Sequence, residues 1–262
     1  MKVEVLVATM NQKDISLYKK MNLSTNAIFA NQSDKNEYKE IIQNDKLIKL
    51  ITTSDRGVGK NRNNAIMHST GDICLFSDDD MIYVDNYESI IVNAFKEIPD
   101  ADIIIFNIEM IGVEANDIRV NNKIKKVHMF NCLNYGAPRI AVKRNSLIKK
   151  NIWFSLLYGG GAPYSSGEDS LFITEALRKK MKIYVYPAKI ADINQGTSTW
   201  FEGYTPKYFN DKGVWIANAF PNLKHILSVY YSYKLKDKNN KFSIKDIYKM
   251  IRNGIREFSQ IN

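Results

Sequence analysis

Four times in the first eighty residues an apolar run stops abruptly at a cluster of polar side chains, and this recurrence restricts the fold more than any other feature of the chain. Val5-Leu6-Val7-Ala8 leads to Thr9 and Asn11, and Ala27 to Ala30 leads to Asn31-Gln32-Ser33-Asp34. Leu47 to Ile51 leads to Asp55-Arg56, and Ile73-Cys74-Leu75-Phe76 leads to Ser77-Asp78-Asp79-Asp80. Short apolar runs of this kind read as buried strands. Helical stretches separate them, around Ile15 to Met21 and again from the glycine-containing turn at Gly57 to Met67. Strands alternating with helices imply an α/β fold, a mostly parallel sheet with helices on its faces, whose ligands gather beyond the carboxyl ends of the strands. The four polar clusters are thus expected to share one crevice.

Two further segments are read less regularly. Tyr38 to Gln43 reads as a turn or short helix, and Val113 to Lys126 is polar enough to be a hairpin or excursion. The spacing predicts a helix at Ile90 to Ile98 and strands at Asp102 to Asn107, Ile140 to Val142 and Lys182 to Tyr186. A loop rich in Gly and Ser, Tyr158 to Asp169, enters an apolar helix over Ser170 to Leu177. Beyond Pro206 the pattern gives two helices, with Lys234 to Lys241 as a charged linker between them. The expected organisation is a catalytic domain over 1–205 and a helical C-terminal extension over 206–262.

Adjacent carboxylates repel and lose hydration wherever they are enclosed, so Asp78-Asp79-Asp80 at the end of a buried strand calls for a positive partner. In an extended segment alternate residues point the same way, which lets Asp78 and Asp80 reach one cation. Oxygen-only ligands favour Mg²⁺ or Mn²⁺, ions commonly held by one or two carboxylates plus substrate phosphates. A nucleotide diphosphate is the expected co-ligand. The competing reading is a solvated acidic turn. Glu168-Asp169, at the entry to a helix, reads in isolation as a cap that complements the helix dipole.

Other chemistries have little to draw on. Two cysteines and three histidines make a disulfide framework, a thiolate zinc site or a histidine-centred triad improbable. No apolar run approaches the ~20 residues of a membrane span. The Met1 to Ala8 stretch has an acidic residue and lacks the long apolar region of a secretory signal, which predicts cytoplasmic residence. A net charge of +9 points to an anionic partner without choosing between nucleic acid, lipid and a phosphorylated substrate.

A carboxylate cluster to bind metal and diphosphate, together with a separate carboxylate to take a proton from a hydroxyl, are the parts that glycosyl transfer needs. Over roughly residues 1 to 200 the chain resembles the inverting family 2 glycosyltransferases of the nucleotide-sugar-binding GT-A fold. The resemblance runs in order through Val5 to Thr9 with Asn11, Asn31 to Asp34, Asp55 to Asn63, Gly71-Asp72 with Asp78-Asp79-Asp80, and Gly167-Glu168-Asp169. It is most similar to the bacterial enzymes that build capsular or other surface polysaccharides.

The resemblance implies that Thr9 and Asn11 line the nucleotide pocket, with Asp34 near the base and Arg62 near the base or diphosphate. Asp55 and Arg56 would contact the nucleotide, the alternative for them being a surface pair. Asp78 and Asp79 would lie near the ribose and sugar, Asp80 would ligate the divalent ion, and Asp78 could share it. Asp169 would be the general base, oriented by Glu168 or with Glu168 on the acceptor. Where relatives often supply a His as a further metal ligand, this chain has Asp192 and Asn194, which offer oxygen instead. Gly196 to Trp200 would be a mobile loop over the diphosphate or an anchored turn. The implied donor is a nucleotide diphosphate sugar, most simply a UDP-sugar, and the implied acceptor a glycan or lipid-linked glycan.

In the tail, Ile244, Ile247, Tyr248, Ile251, Ile255 and Phe258 recur at helical spacing, with Lys245, Lys249, Arg252 and Arg256 on other faces. One use of that helix is peripheral contact with anionic lipid at the inner face of the cell membrane. The other is packing on the catalytic domain or on a second subunit in a homo-oligomer. Three rival functions compete for the same features. An Asp-based phosphatase would carry its Asp pair after the first strand, and a sugar nucleotidyltransferase would show an N-terminal glycine-rich loop ahead of a Lys; neither pattern is present. A basic nucleic-acid-binding protein without enzymatic activity would explain the charge but not two acidic sites, so no nucleic-acid partner is expected.

Overall fold

The computed structural model describes residues 1–111, 120–194, 203–238 and 241–261. It contains ten strands in one mixed sheet and two units, the first comprising Met1–Leu156 and Glu168–Thr197, the second Leu157–Gly167 and Ser198–Asn262. All ten strands belong to the first unit.

The four apolar runs form β1 (Val3–Met10), β2 (Asn26–Gln32), β4 (Lys46–Thr53) and β5 (Ile73–Asp78). They lie side by side in the order β4-β2-β1-β5 and every pairing among them is parallel. Register fixes the consequence: Thr9 sits opposite Asn31, Asn31 opposite Thr52, and Ala8 opposite Asp78. The polar clusters therefore share one edge of the sheet, as the sequence predicts. Alternation sorts the apolar residues into two cores, one on each sheet face. Val3, Val5, Val7 and Phe29 face α3 (Tyr87–Glu97), whereas Leu6, Ile28, Cys74 and Phe76 face α2 (Val58–His68) and α5 (Glu168–Arg178).

The remaining strands make the sheet mixed. β7 (Ile103–Ile111) and β10 (Ile183–Asn194) pair in parallel, while β9 (Ile140–Lys143), between β5 and β7, is antiparallel to both. The short β6 (Met81–Tyr83), unanticipated from the sequence, pairs antiparallel with β10, as does β8 (Lys125–Lys126). Helices α1 (Ser16–Lys20) and α4 (Arg144–Lys150) complete this unit.

Tyr38 to Gln43 departs from the expected turn or helix: Glu37–Gln43 is an edge strand, β3, antiparallel to β4. Its connection is the pair Asn44-Asp45, both at positive φ (49° and 59°), the backbone that a two-residue hairpin turn demands and that Asn and Asp tolerate. Because most of this strand is exposed on both faces, it carries no period-2 apolar signal. Half of Val113 to Lys126, residues 113–119, and all of Gly196 to Trp200 fall outside the described residues.

Among its described residues the second unit holds three α-helices rather than the two expected: α6 (Pro206–Ala219), α7 (Lys224–Lys236) and α8 (Ile244–Ile261). Lys234 and Lys236 are in α7, so the charged linker begins later than the sequence suggested. Thr205 caps α6 by accepting from the Tyr208 amide at 3.2 Å, with Pro206 at the first helical position. Helices α6 and α8 meet backbone to backbone at Gly213 and Gly254. A Cβ on Gly213 would lie 2.0 Å from the Ile251 carbonyl oxygen, and one on Gly254 would lie 1.9 Å from that of Asn210. Ile247, Ile251 and Ile255 are buried as a result, so half of the six-residue apolar stripe considered for lipid contact is spent inside this unit.

Candidate active site

Three elements of the first unit bring charged side chains to the polar edge of the sheet. Strand β5 ends at Asp78, helix α2 presents Arg62 one turn into its length, and helix α5 starts with Glu168 and Asp169. Helix α2 can approach closely because Gly59 has no side chain; a Cβ there would be 2.2 Å from the Ser155 carbonyl oxygen. Asn63 then holds the same loop, accepting from the Phe154 amide at 2.8 Å and donating to its carbonyl at 2.9 Å.

Arg62 is the hub of the cluster. Its Nη2 donates to Asp78 at 2.9 Å, and its Nη1 donates to Asp169 at 2.7 Å and more weakly to Glu168 at 3.4 Å. The guanidinium is only 5% exposed and lies over the Phe154 ring, 5.3 Å from its centroid. Phe154 in turn stacks on Phe172 and meets Phe76 edge to face, so an aromatic floor fixes the cation's position. One buried cation thus joins the carboxylate that ends a strand to the pair that starts a helix. Charge-assisted contacts of this length are the strong kind.

The other Asp169 oxygen accepts from the Ala137 amide at 2.9 Å. Burial pushes the proton affinities of both Glu168 and Asp169 upward, and the adjacent carboxylate raises Glu168 further, while Arg62 pulls both back. The result is an oriented carboxylate with a raised proton affinity, which suits a general base.

Asp78-Asp79-Asp80 splits three ways. Asp78 is bound by Arg62, and Asp79 accepts from the Thr9 hydroxyl at 2.5 Å. Asp80 is pushed up to about 6 by its own desolvation and by the carboxylates of Asp78 and Asp79. A carboxyl in that setting favours a cation. Among the described residues no three His, Cys, Asp or Glu side chains converge into a metal cage. The carboxylate oxygens of Asp78 and Asp80 are donors of the kind that suits Mg²⁺ or Mn²⁺, ions that take their remaining ligands from a diphosphate and water.

Asp192, expected from the sequence as a further ligand, lies on β10 with a lysine beside it. It pairs with Lys189 at 2.8 Å, and Lys189 also holds Glu109 at 2.7 Å. Residues three apart on a regular strand point to opposite faces; the register shift between Lys189 and Ala191 brings these two together. Asn194 ends β10, where it pairs with Ile111 of β7.

The remaining predicted residues line the rim. Arg56 pairs with Asp34 at 2.6 Å, linking the ends of β2 and β4, and Lys60 pairs with Asp55 at 2.7 Å. Asn11, at φ 55°, donates its amide to the Gln32 carbonyl at 2.8 Å. Beneath the rim lie positioning residues to which the sequence reading gave no role of this kind. Asn31 accepts from the Gln12 amide and donates to the Gln12 carbonyl and the Thr52 hydroxyl. Gln32 accepts from the Gly57 amide at 2.8 Å, and Asn61 donates to the Ala30 carbonyl at 2.7 Å. Their signal was a polar side chain in a buried element, which here satisfies backbone groups at the strand ends.

The model of the family described as glycosyl transferase family 2 matches residues 17–155, the span that holds β2 through β9 and the Arg62 and Asp78 arms of the cluster. The chain belongs to glycosyl transferase family 2. No curated protein sequence matches it. Among solved structures, the family 2 chain resembles Staphylococcus aureus TarS residues 1–349 in complex with UDP-GlcNAc, with a TM-score of 0.66 and 17% identity over 99% of this chain and 81% of that one. TarS 1–349 without that ligand gives 0.64 and 14% over 100% and 92%, and its complex with UDP gives 0.60 and 17% over 90% and 71%. At these identities the likeness establishes a GT-A-like fold. Family membership selects glycosyl transfer over the nucleic-acid-binding and nucleotidyltransferase readings. The family match ends before Glu168 and Asp169, so their roles rest on the geometry around Arg62.

Proposed function

We propose that this family 2 glycosyltransferase is a metal-dependent, inverting enzyme that moves a sugar from a UDP-sugar to a hydroxyl of a glycan or lipid-linked glycan in bacterial surface polysaccharide synthesis. The observation that carries the reading is Arg62, which sets a donor-side carboxylate, Asp78, and a proton-accepting carboxylate, Asp169, on one guanidinium. That TarS has been solved with UDP-GlcNAc and with UDP supports a uridine diphosphate donor. Residues 1–205 would bind the donor and catalyse transfer, and residues 206–262 would meet a membrane or another subunit, in the cytoplasm.

In this mechanism Thr9, Asn11, Asp34, Asp55, Arg56 and Asp79 form the nucleotide rim, and Asp80, with Asp78, Asp192 or Asn194, would hold the divalent ion. When bound, that ion offsets the charge of the diphosphate leaving group. Asp169 takes the proton of the acceptor hydroxyl as its oxygen attacks the anomeric carbon, and the bond from that carbon to the diphosphate oxygen breaks on the opposite face. A single displacement of this kind inverts the anomeric centre and needs no covalent intermediate. Arg62 and the Ala137 amide keep Asp169 aimed, and Glu168 contacts the acceptor or steadies its neighbour. Incubation with UDP-sugars and glycan acceptors tests the proposal, with the product anomer read by NMR. An anomeric configuration opposite to that of the donor is expected. Retention of configuration, or absence of transfer from every UDP-sugar to any acceptor, would overturn it.

A further inference from the structure

Helix α7 is inverted relative to an ordinary surface helix. It buries Ser228, Ser232 and Leu235, spaced four and three residues apart, and exposes Ile226, Val229, Tyr230 and Tyr233, with Leu223 just ahead of it. An amphipathic helix normally turns its apolar stripe inward. Here two hydroxyls face inward and are satisfied by their own helix, Ser228 donating to the His225 carbonyl at 2.7 Å and Ser232 to that of Ser228 at 2.6 Å. The outward stripe is wide open: Ile226 is 68% exposed, Tyr233 60% and Tyr230 52%. Positions 223, 226, 230 and 233 follow one another at three- and four-residue steps and so share one face.

Charge says what such a face meets. From Asn222 through Lys245 there are six lysines and a single acidic residue, Asp237. Residues 206–262 carry eleven Lys and Arg against four Asp and Glu, seven of the nine net positive charges of the whole chain. Lys234 lays its ammonium over the Tyr230 ring, 5.6 Å from the centroid, at the edge of the stripe. Apolar and Tyr side chains flanked by lysines on one helix face are the composition of an interfacial helix, whose apolar side enters the headgroup boundary while its cations face anionic lipid. A second copy of the chain would bring the same lysines into opposition. No helix among the described residues is long and apolar enough to cross a membrane.

We propose that the Leu223–Ile226–Tyr230–Tyr233 face of α7 seats the protein on an anionic lipid bilayer, with α7 lying in the plane of the headgroups. This places lipid contact on α7 and not on α8, and it rests on the second unit alone. The test needs no nucleotide sugar, so its failure and failure of the glycosyltransferase mechanism are separate results. Full-length protein is sedimented with phosphatidylcholine vesicles and with vesicles that also contain phosphatidylglycerol. The variants are Ile226→Ser/Tyr230→Ser/Tyr233→Ser and Lys234→Glu/Lys238→Glu, both at exposed positions, with thermal unfolding as the control for folding.

Wild type is expected to bind the anionic vesicles, more weakly in high salt because surface charges are screened beyond ~10 Å. The triple serine variant should bind at least about tenfold more weakly, since three apolar side chains no longer leave water. The charge-reversed variant should lose its preference for phosphatidylglycerol. Failure of wild type to bind anionic vesicles, or equal binding by the triple serine variant, would overturn the proposal. So would a wild-type dimer that the serine substitutions convert to monomer without any vesicle binding, which would assign the face to a second copy.

Discussion

Replacing Arg62 with Met keeps the length of the side chain and its packing over Phe154 but removes the one cation shared by Asp78, Glu168 and Asp169. The loss comprises two short charge-assisted bonds, at 2.7 and 2.9 Å, and one long one at 3.4 Å. Taking one partner from a buried pair costs about 3–5 kcal/mol, because the other charge stays behind. Asp78 is 39% exposed and hydrated, so its share is discounted and the lower end of that range, about 3 kcal/mol near neutral pH, is expected. The pH dependence separates this cause from simple loss of packing. Burial already raises Glu168 and Asp169, and without Arg62 they rise further. A carboxyl with a folded pKa above its unfolded value binds more protons in the native state. Its effect is to lower stability as pH rises from the unfolded pKa through the folded one. The deficit of the variant relative to wild type should therefore shrink by at least about 1 kcal/mol between pH ~7.5 and pH ~5 in urea unfolding. A deficit below about 1 kcal/mol near neutral pH, or one that does not change with pH, would refute Arg62 as the electrostatic hub.

Three other outcomes follow from the same geometry. Asp169→Asn keeps the hydrogen bond from Ala137 but not the base, so turnover should fall about 10²–10⁴-fold while UDP affinity is retained, as steady-state kinetics and calorimetry can show. Gly59→Ala places a methyl 2.2 Å from the Ser155 carbonyl, and urea unfolding should register a loss of about 1–3 kcal/mol from the overpacked α2 contact. Metal-dependent UDP affinity should rise as pH increases through about 6, because Asp80 must shed its proton to act as a ligand; affinity independent of pH across that point would exclude it from the metal site.

How much of this was legible in the sequence depends on what each residue contacts. Strands β1, β2, β4 and β5 were visible because burial on both faces demands continuous apolar runs, and the parallel register then carries their polar ends to one edge. β3 was hidden because an edge strand exposed on both faces has no apolar period, and its only strong mark is the Asn44-Asp45 turn. The stripe on α8 was legible but its partner was not: Gly213 and Gly254, 41 positions apart, bring α6 onto it, and spacing within one helix cannot reveal that. Spacing likewise cannot show that Asp192 lies beside Lys189, since the bulge that unites them is a property of the pairing with β7. The two acidic clusters were identified separately. Their common partner, Arg62, is 16 residues from Asp78 and 106 from Glu168, and only the fold closes both intervals.

The central claim, that the acidic edge of the sheet is a nucleotide-sugar donor site organised by a divalent ion, is tested most directly by calorimetric titration of UDP. Wild type and Asp80→Asn are compared with and without Mn²⁺. Saturable binding that requires Mn²⁺ in wild type and is lost in Asp80→Asn is the predicted result. Absence of UDP binding to folded wild type under either condition, or equal Mn²⁺-dependent binding in the variant, would contradict it.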